Sequence, residues 1–162
     1  MAIEWSIKHS PEIGIGTGTV NPVVGEVNDG ILNDIQGRHV RKEHVFEAIA
    51  NAESGAVREG SVGAGTGSVC MGWKGGIGMS SRVLPPKRGG YTVGVLAQTN
   101  FDGVLTVNGA PVGRELGRCS NSADSPYEIP ATGDVYGAGP DGSAMVIVAT
   151  DAPLDQRQLE RL

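Results

Sequence analysis

Aromatic side chains make up only 4% of this 162-residue chain, and the formal net charge is −5. The basic residues that do cluster, at Arg38, Arg41 and Lys42 and again at Lys87 and Arg88, have no aromatics interleaved among them. They read as solvated faces, and nucleic acid is disfavoured as a partner. The two cysteines, Cys70 and Cys119, are far apart and lack CxxC or Cys/His spacing. That excludes a disulfide framework and points to free thiols in a reducing compartment, so we expect a cytoplasmic protein. There is no 18-residue apolar run to span a membrane, and no basic stretch followed by an apolar one at the start to mark a secretion signal. Histidines are equally scarce. His39 and His44 stand five apart, on different helical faces, and no HExxH occurs, so surface or capping roles fit them better than metal ligation. The chain also lacks a G-x-S-x-G elbow, which leaves a conventional Ser-His-Asp triad unsupported.

What is abundant is glycine, with 26 residues, more than double ordinary usage. There is no Gly-X-Y period, and apolar segments alternate with the glycine clusters, so collagen and disorder both fit poorly. The glycines read instead as backbone devices for turns and close approaches. The run over residues 60–76 fails as a phosphate loop. Gly67 and Gly72 have the P-loop separation, but Trp73-Lys74-Gly75 follows instead of Lys and Ser or Thr. Starting a dinucleotide fingerprint at Gly63 puts Ser68 where the third glycine belongs, and starting it at Gly14 puts Thr19 there.

The hydrophobic pattern predicts a helix ending near His9 with Ile3 and Ile7 on one face, and a clearer helix over residues 41–51 stopped by Gly55. Strands are expected at residues 21–24 and 91–98, with a hairpin over 104–112 that turns at Asn108-Gly109. A further helix is expected from Pro153, capped by Thr150 or Asp151. The first and last helical patterns run into the ends of the sequence, so we expect one domain over residues 1–162 that is part of a larger one. The class is mixed α/β.

The most telling segment is Gly139-Pro140-Asp141-Gly142-Ser143 and the apolar run behind it. A sterically bare turn delivers Ser143 to the start of a strand. Cleavage of the Gly142–Ser143 bond would give Ser143 both a hydroxyl nucleophile and an α-amine able to serve as its base. Such an amine titrates at about 7.7–8.0, near the optimum for a general base. The same residues also fit an ordinary loop-to-strand junction.

Other blocks carry a resemblance. They are Asn21-Pro22-Val23-Val24-Gly25-Glu26 with Asp29-Gly30-Ile31-Leu32-Asn33-Asp34-Ile35, then residues 60–67 with Lys74-Gly75-Gly76-Ile77-Gly78, then Gly90-Tyr91-Thr92-Val93-Gly94-Val95. Gly142-Ser143 with residues 148–154 completes the series. In this order the chain resembles the self-cleaving L-aminopeptidase/D-esterase (DmpA-type) and β-peptidyl aminopeptidase family. The resemblance implies a four-layer α/β/β/α sandwich of N-terminal-nucleophile-hydrolase type. Self-cleavage would divide it into an α-chain-like portion, residues 1–142, and a β-chain-like portion starting at residue 143. It implies Ser143 as nucleophile and Asn100 as oxyanion-stabilising carboxamide, although Asn100 alone also fits a turn between strands. Glu26 is the candidate for gripping a substrate's ammonium group, and a surface carboxylate fits it nearly as well.

The family's usual oxyanion-stabilising tyrosine in the segment 26–31 is absent here; Asn28 or Ile31 occupies its place, and Asn28 joins Glu26 as a candidate substrate-binding residue. By resemblance no metal or other cofactor is needed, and the substrates are peptides or amino-acid amides and esters with a free amino end. The resemblance also implies a homo-oligomeric assembly. A related acyltransferase, resembling ornithine acetyltransferase, uses a threonine nucleophile, and Ser143 argues against it. A non-catalytic fragment or binding module, unbroken at residue 143, is the third reading.

Overall fold

The computed structural model describes residues 1–16, 18–118 and 142–161. The expectations for Cys119 and for most of the 118–142 loop lie outside them. The described chain forms two compact units, residues Met1–Glu26 with Asn33–Ala56, and residues Val27–Leu32 with Val57–Leu162.

The first unit is helical. Helix α1 (Ala2–His9) and helix α2 (Lys42–Ala50) fall where the periodicity put them. The backbone N–H of Arg41 donates to His44 Nδ1 at 3.0 Å in a capping box, so this histidine caps as expected. The helix ends at Asn51 rather than at Gly55. Trp5 and His9 stack one turn apart, with centroids 4.0 Å apart. Lys42 reaches back to pair with Glu4. The hydrogen bond from Lys42 holds the Glu4 carboxyl below its ordinary value.

Because the folded-state value is depressed, this contribution to stability is complete above the ordinary carboxylate range. It fades as pH falls through the folded value. Lys42→Met is therefore expected to return Glu4 to an ordinary carboxylate titration, read from its side-chain carbon shift by NMR.

No strand forms at residues 21–24. Val23 and Val24 are 96% and 84% exposed, and Pro22 has no N–H to offer a ladder.

The second unit is built on an antiparallel sheet of order β3-β4-β5, comprising β3 (Gly76–Val83), β4 (Thr92–Phe101) and β5 (Gly142–Thr150). A two-stranded ribbon, β1 (Val69–Cys70) and β2 (Trp73–Lys74), precedes it. Strand β4 is central and paired on both sides, which explains its nearly continuous apolar run. It extends past the expected end to Phe101.

The strand β5 ends in a lock. The Thr150 hydroxyl donates to the Thr92 carbonyl at 2.7 Å, and the Asp151 carboxylate accepts the Thr92 N–H at 2.6 Å. Those two side chains are thus committed to the sheet. The following helix α4 (Gln156–Leu159) is instead capped by Asp155, in a reciprocal box with Gln158.

The expected hairpin reduces to its turn. Val107 and Ala110 exchange both backbone bonds at 3.0 Å around Asn108 and Gly109, which have φ of 48° and 86°. The chain then enters the short helix α3 (Val112–Glu115). Among the described residues, no helix is long and apolar enough to cross a membrane.

Candidate active site

The register of β4 on β5 pairs Phe101 with Gly142, Asn100 with Ser143 and Gln98 with Met145. Directly opposed residues of an antiparallel pair project to the same face, with Cβ atoms about 4.5–5.5 Å apart. Ser143 and Asn100 therefore project from adjacent strands on the same sheet face.

Asn100 is held at both ends of its amide. Its Oδ1 accepts the Val69 backbone N–H at 3.0 Å, and its Nδ2 donates to the Asn28 backbone carbonyl at 2.8 Å. This fixes the orientation of the amide, because swapping oxygen and nitrogen would set donor against donor and acceptor against acceptor. An in-strand asparagine with two long-range partners replaces the turn residue that local sequence also allowed.

Asn28 enters through its main chain. Its own side chain folds back, with Oδ1 accepting the Gly30 N–H at 3.0 Å. Beside it, a Cβ placed on Gly67 would come within 2.6 Å of the Asp29 Cβ. Only glycine there lets the 27–32 segment lie against this turn. The second unit thus brings together Ser143, Asn100 and Asn28. Glu26 is exposed and belongs to the first unit.

Several contributors escaped the sequence reading. The Val69 N–H is one, and the polar pair Gln98 and Ser68 behind it is another. Ser68 is fully buried and Gln98 only 7% exposed. A glutamine interrupting the apolar run of β4 was the available signal. Lys74 Nζ, too, binds the carbonyls of Gly65 at 2.6 Å and Gly75 at 2.9 Å, tying the glycine-rich turn to the ribbon. Among the described residues, no group of three or more His, Cys, Asp or Glu could hold a metal ion.

Gly142 is sterically required. A Cβ there would strike the Phe101 Cβ and lie 2.6 Å from its Cα. The obstruction includes backbone, so no rotamer change relieves it. Gly142→Ala is expected to spread β4 from β5 next to Ser143. Overpacking of this kind costs about 1–3 kcal/mol, which calorimetry would register as a lowered Tm.

The sequence profile of peptidase family S58 matches residues 1–162. This chain belongs to peptidase family S58. It is 50% identical over 145 residues to beta-peptidyl aminopeptidase BapA of Sphingosinicella microcystinivorans, covering 87% of this chain and 36% of that one. The corresponding enzyme of Sphingosinicella xenopeptidilytica is 38% identical over 169 residues, covering 99% and 40%.

Among solved structures, a Burkholderia sp. beta-aminopeptidase superposes with a TM-score of 0.75 at 41% identity. It covers 98% of this chain and 40% of its own. The L-aminopeptidase D-Ala-esterase/amidase of Ochrobactrum anthropi, described as a prototype for the serine aminopeptidases and a new variant among the Ntn hydrolase folds, gives 0.75 at 34% identity with the same coverage. The likeness to the Ochrobactrum enzyme makes the fold that of the Ntn hydrolases, in agreement with the resemblance seen in sequence. The chain spans about two-fifths of the length of these relatives.

Proposed function

We infer that the protein containing this chain is a serine aminopeptidase that matures by cutting itself between Gly142 and Ser143. Ser143 Oγ attacks the Gly142 carbonyl while its proton passes to the departing amide nitrogen. The acyl group moves from nitrogen to oxygen, and water then hydrolyses the ester. The products are a carboxylate on Gly142 and a free α-amine on Ser143. In turnover that amine takes the hydroxyl proton as Oγ attacks the scissile carbonyl, and it returns a proton to the leaving amine. Water then releases the acyl group.

Asn100 Nδ2, with backbone amides, stabilises the oxyanion. The Asn28 segment supports Asn100. The observation that carries this reading is the direct opposition of Ser143 and a doubly anchored Asn100 on adjacent strands.

Substrates are short peptides, amides or esters with an unblocked amino end. The naming of the curated relatives as β-peptidyl aminopeptidases brings amino-terminal β-residues into this class. The enzyme acts in the cytoplasm as a homo-oligomer, without metal or nucleic acid.

Incubating the protein as encoded with paired free and N-acetylated aminoacyl p-nitroanilides tests the proposal. Nitroaniline should be released from the free compounds alone. Acetyl transfer to ornithine without release of amino-terminal residues would overturn the reading in favour of an acyltransferase.

A further inference from the structure

Gln98 lies two residues before Asn100 in β4, on the same sheet face, and is paired across the ladder with Met145. Its buried carboxamide is committed elsewhere. Nε2 donates to the Ala64 carbonyl at 3.1 Å and to Ser68 Oγ at 3.4 Å. Ser68 Oγ in turn donates to the same Ala64 carbonyl at 3.4 Å, and the Ser68 carbonyl accepts the Gly75 N–H at 2.8 Å.

Two neighbouring side chains of one strand therefore grip two consecutive residues of one turn. Gln98 holds Ser68, and Asn100 accepts from Val69. A Cβ on Gly75 would lie 2.5 Å from the Thr99 carbonyl and 2.9 Å from Ser68 Cβ, so the turn is pressed against β4 with no slack.

The geometry points to Gln98 as a positioning residue for Asn100. By fixing Ala64 and Ser68, it aims the Val69 N–H at Asn100 Oδ1 and so sets the direction of the Asn100 N–H groups. The role needs a donor, because both atoms it meets are oxygens. This inference rests on the reading of Asn100 as the oxyanion donor.

The test compares Gln98→Met, Gln98→Glu and Ser68→Ala in the protein as encoded, each alone and combined with Asn100→Ala, with Tm measured alongside. Misaligning one preorganised donor is expected to lower kcat by about 10- to 100-fold while KM stays within about twofold. Gln98→Glu should be at least as impaired as Gln98→Met, since a carboxylate cannot donate to Ala64. Ser68→Ala, the mildest change, reads the same coupling where a Gln98 variant folds poorly.

In the Asn100→Ala background each of these changes should cost less than about twofold more. A Gln98→Met protein with wild-type kcat, beside an Asn100→Ala protein that has lost it, would overturn the positioning role alone. So would an equal loss from Gln98→Met with and without Asn100. If Asn100→Ala itself keeps full kcat, the oxyanion reading falls and the positioning role falls with it.

Discussion

Ser143→Ala is expected to leave the chain unbroken between residues 142 and 143 and to lower kcat by on the order of 10⁴- to 10⁶-fold, the scale on which a serine nucleophile acts with its base. Both losses have one cause. On the proposed mechanism, the hydroxyl that opens the Gly142–Ser143 bond is also the one that attacks substrate, and the base used in turnover exists only once that bond is open.

Ser143→Thr separates chemistry from packing. A β-branched residue suits a strand position, and Ser143 is only half-buried in β5. The threonine keeps a hydroxyl, so scission should persist at a reduced rate. Gel or mass analysis over time gives the scission rate, and nitroanilide release gives kcat. An alanine variant that still divides at this bond would show that another group does the cutting.

Asn100→Ala should lower kcat by about 10²- to 10³-fold, equivalent to about 2.7–4 kcal/mol, with KM little changed. An interaction that grows with charge on the oxyanion acts on the transition state, so its removal leaves ground-state binding nearly intact. Asn100→Asp should do no better, although its shape is almost the same. A carboxylate can still accept the Val69 N–H, but it has nothing to donate to the Asn28 carbonyl and puts negative charge beside a developing oxyanion. Steady-state kinetics on both variants decide the matter. An effect confined to KM would move Asn100 from oxyanion stabilisation to substrate binding.

The legibility of this site followed the range of the interactions that build it. Helix α2 and strand β4 could be read because their signals are local: an apolar stripe in one, and in the other a run of β-branched residues covered by neighbours on both sides. The start of β5 at the Gly142-Ser143 junction was legible for the same reason.

Residues 21–24 misled because Val23 and Val24 look like strand residues locally, while strand formation needs a partner and a donor that Pro22 lacks. The cap of α4 was misplaced because Thr150 and Asp151 are good capping residues by type. Only the pairing of β5 with β4 reveals that both are committed to Thr92, leaving Asp155 to cap.

Asn100 is the sharpest case. Its two partners, Val69 and Asn28, lie in distant parts of the sequence, so nothing beside it distinguishes a held carboxamide from a turn residue. Resemblance identified it, and geometry supplies the physical reason it could serve. Gln98 and Ser68 went unread because their bonds also cross the sequence.

The most direct measurement is the intact mass and amino-terminal sequence of catalytically active protein, before and after selective carbamylation of α-amines. Two polypeptides should be found, the second beginning Ser143-Ala144-Met145, and modification of that terminus should abolish turnover. Full activity in a polypeptide continuous through residues 142 and 143, or in one whose Ser143 amine is blocked, would contradict a serine that serves as its own base.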